Sequence, residues 1–193
     1  YFSDPLVIYP ERQKRVIVID PYTTYIEPEV EIDNNTLIEP CVYIKGNTRI
    51  GKNCRIGFGS LILDSEIGDN VTILGGEIVD SHVDDFALIG KKAEIHDTHI
   101  GRNAVILGEV YESRVRRNSS VGLHSVVEKS VIDHDVKIGR HVEMKRSIVR
   151  WGTKIPHRSY IGDARIGRRV NIGADFTTSN YDGKKKHVTI MEN

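Results

Sequence analysis

The most regular feature of the sequence is a series of aliphatic residues that recur every six positions, with some intervals shortened to five. The series runs from Ile26 to Ile172 and is interrupted once, between Leu107 and Arg114. A period of six is neither the two of a half-buried strand nor the 3.6 of an amphipathic helix. It predicts short, similar units that each place one aliphatic side chain in a shared interior.

Two further positions repeat within each unit. Four residues after the aliphatic one stands a small or β-branched residue such as Cys54 or Ser125, and glycine often follows the aliphatic residue directly, as at Gly57 or Gly139. Units of this length cannot bury a face alone, so they predict an all-β, single-domain parallel β-helix in which small residues fill the corners. With three units per coil, the 26 units give eight to nine coils, roughly 40 Å of solenoid.

The repeat also suggests boundaries. Residues 1–20 are interpreted as a lead-in that ends in a strand, Val16 to Ile19, and residues 21–193 as the β-helix domain. Five-residue intervals should only tighten a corner. The interruption at 107–114, which contains GEVYESR, is expected to leave the solenoid as a loop, either for contact with a neighbour or as a tolerated surface insertion.

Composition narrows the functional classes. Lysine plus arginine equals aspartate plus glutamate, so neither nucleic acid nor an anionic membrane surface is an expected partner. No apolar run approaches the roughly 18–20 residues of a membrane span. Cys41 and Cys54 are the two cysteines, which favours a reducing, cytoplasmic setting over a disulfide framework.

Candidate chemistry concentrates between residues 143 and 186. Acyl transfer to an amine requires a base and groups that hold both partners in line, and histidine titrates near neutrality. Among eight histidines, His157 stands out because Lys145 and Asn171 fall on neighbouring coils of about 17–18 residues. A solvent-facing histidine is the open alternative. The remaining histidines lie at or near predicted corners, where a polar side chain would face solvent.

The repeat with its glycines resembles the hexapeptide-repeat acyltransferases, which implies a left-handed parallel β-helix that packs as a homotrimer. The segments EMKRS, PHRSYIGDARIG, VNIGA and SNYDGKKKH resemble, without a gap over residues 142–189, a more specific family. It is the acetyltransferase domain of the bifunctional N-acetylglucosamine-1-phosphate uridyltransferase/glucosamine-1-phosphate acetyltransferases. The resemblance implies acetyl-CoA as co-substrate, glucosamine 1-phosphate as acceptor, a role in UDP-N-acetylglucosamine biosynthesis, and no metal in this domain.

The same resemblance implies roles for individual residues. His157 would be the general base, with Glu143 orienting it. Lys145, Tyr160, Asn171 and Lys186 would bind the sugar phosphate. The acetyl-CoA side would be formed by Ala174, Asn180 and Tyr181. Without the resemblance, each lysine could be a solvated surface residue, each tyrosine a packing residue, and Asn171 part of an amide ladder.

The sequence also departs from the family. Val127 stands where the family carries a phosphate-binding arginine, for which Arg116 or Arg117 could substitute, and Asp175 and Phe176 replace smaller residues. The chain stops at residue 193, where further coils are expected. The competing hypothesis is therefore a non-catalytic β-helix that serves as an assembly or regulatory module of a sugar-phosphate nucleotidyltransferase.

A γ-type carbonic anhydrase is a third hypothesis, because its fold is another hexapeptide-repeat trimer. Its zinc site would need three histidines, two of them close together in the sequence. His96 and His99 are three residues apart and lack a matching third partner, so this hypothesis is disfavoured.

Overall fold

The computed structural model describes residues 8–9 and 14–192, with side chains from residue 15 onward. All regular structure in these ranges is β-strand, and most strands are two or three residues long. In chain order the strands are β1 Ile8–Tyr9, β2 Lys14–Val18, β3 Tyr25–Ile26, β4 Glu31–Ile32, β5 Thr36–Ile38, β6 Tyr43–Lys45, β7 Arg49–Ile50, β8 Arg55–Ile56, β9 Leu61–Leu63, β10 Glu66–Ile67, β11 Thr72–Ile73, β12 Glu77–Val79, β13 His82–Val83, β14 Leu88–Ile89, β15 Glu94–His96, β16 His99–Ile100, β17 Val105–Ile106, β18 Glu109–Tyr111, β19 Arg114–Val115, β20 Ser120–Val121, β21 Val126–Glu128, β22 Val131–Ile132, β23 Lys137–Arg140, β24 Glu143–Lys145, β25 Ile148–Val149, β26 Lys154–His157, β27 Tyr160–Gly162, β28 Ala164–Ile166 and β29 Thr189–Met191.

These strands form three sheets. The first face runs β1-β2-β5-β8-β11-β14-β17-β20-β23-β26, the second face β3-β6-β9-β12-β15-β18-β21-β24-β27, and the third face β4-β7-β10-β13-β16-β19-β22-β25-β28-β29. Apart from the antiparallel β1–β2 pair, the paired strands are parallel. From β2 to β28, paired strands are three apart in strand order, as β11 with β14 and β9 with β12. The second face has nine strands, one per coil, so the predicted parallel β-helix is confirmed.

The interior consists of the aliphatic ladders that the six-residue period predicts. Ile38, Ile56, Ile73 and Ile89 follow one another along the first face, and each is fully buried. In most strands one inward residue is flanked by residues that face outward, which alternation in a strand requires. Burial of one such side chain contributes about 1.5–3 kcal/mol.

Small buried residues fill the first–second and third–first corners, as predicted. The Thr36 hydroxyl donates to the Gly51 carbonyl at 2.9 Å, and the Ser125 hydroxyl donates to the Gly139 carbonyl at 2.8 Å. These bonds satisfy carbonyl groups that would otherwise be buried without a partner.

The second–third corner is tighter and carries its own ladder. At seven of these corners the successive inward residues are only five positions apart. Each of the seven corners contains one residue with a positive φ, such as Asp64 or Asp80. The residue directly after the positive-φ residue links consecutive coils. Its backbone N–H donates to the side-chain hydroxyl of the equivalent residue one coil earlier, at 2.9–3.3 Å. The chain of donors is Ser65, Ser81, Thr98, Ser113, Ser130, Ser147 and Ala164.

The predicted loop at 107–114 is wrong. Val110 is fully buried in β18, and β18 pairs with β15 and β21, so this segment is an ordinary rung of the second face. The interval from Ile106 to Val110 is four residues, shorter than the five or six of the repeat, so the pattern did not reveal Val110 as an inward residue. Gly108 makes the short corner feasible, because a Cβ there would lie 2.4 Å from the Ser125 carbonyl oxygen.

The strand predicted at the end of the lead-in is confirmed as β2, and it pairs with β5. Val16 and Val18 are buried in the common core, so the described solenoid begins within the segment interpreted as a lead-in. Residues 1–7 and 10–13 of that segment lie outside the described residues. In the described ranges no helix is long and apolar enough to cross a membrane.

Candidate functional site

The candidate residues lie in the last described coils, where regular strands give way to single bridges. Lys154 bridges Asn171, and Tyr160 bridges Thr177, so the chain continues to stack on β26 and β27. The sequence-predicted residues are therefore on adjacent coils, as their spacing predicted. Their distribution around the prism decides what they can do together.

His157 ends β26 and lies at the first–second corner, in register with Arg140 of the preceding coil. Its side chain is exposed, and the structure shows no hydrogen bond or ion pair from its ring to another described residue. The backbone is held, because the Ser159 hydroxyl donates to the His157 carbonyl at 2.8 Å. The backbone of His157 is thus held in place, while the nitrogen atoms of its imidazole are accessible. Ala174, also exposed, takes the equivalent position one coil later.

A second cluster lies at the second–third corner. Lys145 is ion-paired with Glu128, its register partner one coil earlier, and this pair holds the Glu128 pKa below its usual value. Arg146 grips Asp163 with two hydrogen bonds of 2.6 and 2.7 Å. The Asn180 amide also donates to Asp163, and Asn180 is buried. The Arg146 hydrogen bond is the main cause of the lowered Asp163 pKa.

Lys186 belongs to this same corner. It is exposed, and its charge contributes to the lowered pKa of Asp163. Tyr181 and Lys186 are joined by an antiparallel backbone bridge, and the Tyr181 side chain is 61% exposed. Lys186 thus lies near Asp163, at the corner where β24 ends with Lys145.

Tyr160 lies between the two corners, on the second face. Its hydroxyl reaches along the strand, since a Cβ on Gly162 would come within 2.5 Å of the Tyr160 oxygen. Asn171 lies elsewhere, on the first face beside Lys154, where it is exposed and lines a shallow groove with Arg169. A single chain therefore does not bring Asn171 together with Tyr160 or the lysines.

Within one chain the base and the cations are also apart. The second-face strand between them, residues 159–162, advances at about 3.3 Å per residue, which separates the corners by roughly 13 Å. The imidazole of His157 thus cannot touch a group bound directly by Lys145 or Lys186 of the same chain across a short contact.

The position of the absent family arginine is also clear. Val127 is fully buried on the second face, so its side chain cannot reach a ligand outside the prism. Arg116, which pairs with Asp133 at 3.2 Å, and Arg117 lie after β19 at the third–first corner and do not substitute for it.

Sequence reasoning missed Glu128, Arg146 and Asp163 as members of this corner. A spacing of 17 residues, one full coil, separates Glu128 from Lys145 and Arg146 from Asp163, and this spacing was the signal that could have revealed both ion pairs.

Comparisons with known proteins agree with this architecture. Residues 86–170 match the family model described as "GlmU-like, C-terminal hexapeptide", and residues 29–64 match "Bacterial transferase hexapeptide (six repeats)". These matches identify hexapeptide repeats over the matched residues. The resemblance of the chain to the bifunctional GlmU proteins, inferred above from the motifs, is confirmed by curated relatives.

Bifunctional protein GlmU of Thermotoga petrophila is 39% identical over 177 residues, which is 92% of this chain and 33% of the relative. The same protein of Clostridioides difficile is 39% identical over 178 residues, 92% of this chain and 32% of the relative. The chain thus spans about one third of the length of these relatives. The match to a solved UDP-N-acetylglucosamine acyltransferase from Francisella novicida covers 85% of this chain and 67% of that one, with 16% identity and a TM-score of 0.48.

Proposed function

We propose that the chain is the acyltransferase part of an enzyme that transfers the acetyl group of acetyl-CoA to the amine of glucosamine 1-phosphate, a step toward UDP-N-acetylglucosamine. The observation that carries the proposal is the exposed His157 imidazole, fixed at its backbone and without a partner among the described residues, on a chain similar to GlmU over 92% of its length. A cytoplasmic setting follows from acetyl-CoA and from two cysteines that form no disulfide.

In the proposed reaction the amine nitrogen attacks the thioester carbonyl while His157 accepts the amine proton. A carbon–nitrogen bond forms, the carbon–sulfur bond breaks, and the proton passes to the departing sulfur to give free coenzyme A thiol. Lys186 and Lys145 would hold the phosphate as compact positive charges. Tyr160 and Asn171 would bind the sugar, and Ala174, Asn180 and Tyr181 would line the acetyl-CoA side.

The distance between the two corners leads to an assembly. His157 and Lys186 occupy opposite edges of the second face, so one chain supplies both halves of a site that it cannot close alone. If three prisms turn their second faces toward a common axis, the first–second corner of each copy meets the second–third corner of the next. Such a heterologous contact closes into a ring with three equivalent sites, which favours a homotrimer.

The surface of the second face suits this role. Its outward residues include apolar and aromatic side chains, among them Leu61, Leu63, Val79, Tyr111 and Val126, each at least half-buried in a single chain. On the third face the outward position is charged or histidine from β4 to β19, and it becomes aliphatic at Val131 in β22 and Ile148 in β25. Apolar and tyrosine side chains are enriched at interfaces, whereas solvated faces are charged.

One observation favours the competing function, a non-catalytic assembly module. Glu128 neutralises Lys145 from the preceding coil, where a phosphate site would benefit from a further cation. In the enzymatic proposal, phosphate must compete with this carboxylate, so Lys186 carries more of the phosphate binding than Lys145.

The test is product formation from acetyl-CoA and glucosamine 1-phosphate, measured by mass spectrometry. The His157→Ala variant should be slower by about 10²- to 10⁴-fold, the range for a lost general base. His141→Ala, which removes an exposed histidine at the same corner one coil earlier, is the matched control and should retain activity. A wild-type chain that neither forms product nor binds acetyl-CoA would support the assembly module instead.

Mixing two inactive variants tests the shared site. In trimers formed from equal amounts of His157→Ala and Lys186→Ala chains, roughly one quarter of the interfaces regain both intact residues, and activity should recover to about that fraction. Sites contained within single chains would give no recovery.

A further inference from the structure

Two histidines and one aspartate converge on the third face, more than three coils away from His157. His82 and His99 are register partners on consecutive coils, and Asp84 follows His82 on the same outward side of its strand. The Asp84 Oδ1 atom lies 2.9 Å from His82 Nε2 and 3.1 Å from His99 Nε2. All three potential ligand atoms lie within 4.8 Å of one another.

A fourth group orients this cluster. Glu66, the register partner of His82 one coil earlier, places its Oε2 atom 3.1 Å from His82 Nδ1. This contact favours the tautomer with the proton on Nδ1, so that the lone pair of His82 Nε2 points at the Asp84 carboxylate. Either a proton or a metal ion between this nitrogen and the Asp84 carboxylate satisfies the contact, and a carboxylate bonded to the far nitrogen is the usual support of a metal-bound histidine.

We propose that His82 Nε2, Asp84 and His99 Nε2 bind one divalent transition metal ion, with Zn²⁺ as the reference ion and water in the remaining position. Two imidazoles and one carboxylate match the preference of zinc, whereas Ca²⁺ and Mg²⁺ prefer an all-oxygen shell. With metal–ligand bonds of about 2.0–2.1 Å, tetrahedral ligand atoms are about 3.3 Å apart, so the two nitrogen–oxygen spacings to Asp84, 2.9 and 3.1 Å, need to open by only a few tenths of an ångström.

The electrostatic surroundings favour a cation on one side of the site. Along the third face runs a groove of about 710 Å³ that includes His82 and His99. Its carboxylate residues are Glu29, Glu31, Asp64, Glu66, Asp80 and Asp97. On the other side, Asp84 and His99 line a second groove with Arg102, Arg114, Arg116 and Arg117, which oppose the cation and limit the affinity.

This pairing differs from the one weighed in the sequence. His96 and His99 are close in the chain, but they flank the second–third corner and lie on different faces. His82 and His99 are 17 residues apart, one full coil, and their rings meet edge to face with centroids 4.9 Å apart. The proposal departs from the expectation of a domain without metal, and the proposed ion would join two consecutive coils.

Isothermal titration of the metal-stripped full chain with Zn²⁺, and the visible absorption of Co²⁺ in the same site, test the proposal. One saturable ion per chain is expected, with the intense Co²⁺ bands of a low-coordinate site. Asp84→Asn, His82→Gln and His99→Gln should each weaken this binding at least tenfold. Glu66→Gln, which removes only the orienting carboxylate, should weaken it by about 10- to 100-fold.

The matched control is the pair His124 and His141, two stacked histidines on consecutive coils with ring centroids 5.1 Å apart. The structure shows no carboxylate bound to either ring within the described residues, so His124→Gln and His141→Gln should leave the tight site unchanged. Absence of saturable binding, or equal binding by the Asp84→Asn and wild-type chains with matching circular dichroism spectra, would overturn the proposal. The latter result would leave these residues as a hydrogen-bonded His–Asp–His cluster only.

Discussion

Gly139 provides a sharp test of how closely the coils stack. It lies in β23, directly after the inward-facing residue of that strand. A Cβ built on it would lie 1.7 Å from the carbonyl oxygen of Pro156 and 2.4 Å from its carbonyl carbon. Both atoms belong to the backbone of the next coil, immediately before His157. Nonbonded heavy atoms rest about 3.5–4.0 Å apart, so the Gly139→Ala methyl would require a shift of more than about 1.5 Å.

The expected cost follows from that overlap. Overpacking usually costs about 1–3 kcal/mol, and a clash with backbone belongs at or above the upper end of this range. The opposing gain from a less flexible unfolded chain is about 0.4–1 kcal/mol. A net loss of about 3 kcal/mol lowers the melting temperature of a chain of this size by about 6–12 °C.

Gly173 is the matched control, because it takes the same corner position 34 residues, or two coils, later and a Cβ there meets nothing within 4 Å. Gly173→Ala should melt within about 2 °C of the wild type or slightly above it. Thermal unfolding followed by far-ultraviolet circular dichroism gives the comparison. Midpoints are compared because coils that contact only their neighbours need not unfold in one step. A Gly139→Ala midpoint equal to that of Gly173→Ala would refute this account of the stacking.

Two other predictions concern titratable groups. Because Arg146 lowers the pKa of Asp163 below 3.8, the ion pair stabilises the fold above that pH and loses its effect as the pH falls through the lowered value. The melting-temperature difference between wild type and Asp163→Asn should therefore be constant near neutrality and shrink below about pH 4, whereas a constant difference would contradict it. Burial raises the pKa of the Cys54 thiol, so iodoacetamide should modify Cys54 only after unfolding, while the less buried Cys41 reacts in the native protein. Equal native rates, measured by peptide mass spectrometry, would contradict this prediction.

The fold was predictable from the sequence because every repeat unit places an aliphatic residue at the same inward position. Each inward aliphatic residue is flanked by residues that face outward, so the six-residue period defines strands, corners and stacking direction. Val110 was missed because a corner closed by Gly108 shortens the period to four residues, and only the neighbouring coils reveal its register. Where one side chain fits against another depends on the stacked coils rather than on the local pattern.

The candidate site was less predictable for the same reason. Spacing placed Lys145 and His157 on neighbouring coils, and it did not show that they occupy different corners of the prism. The partner of Lys145 is Glu128, and the partner of Asp163 is Arg146, each one coil distant. Individual side chains in such a repeat meet residues 17 positions away, so a reading organised by local motifs overlooks them.

The hydroxyl ladder at the second–third corner carries a consequence for the length of the molecule. Each hydroxyl accepts a hydrogen bond from a backbone N–H of the next coil, and the backbone N–H of the same residue donates to the hydroxyl of the previous coil, so each coil offers its successor the same bonding surface that it received. Excision or duplication of one whole turn between equivalent serines would preserve that surface, whereas a cut of any other size would leave a hydroxyl facing the wrong backbone atom. The length of the solenoid can therefore change only in steps of one whole turn.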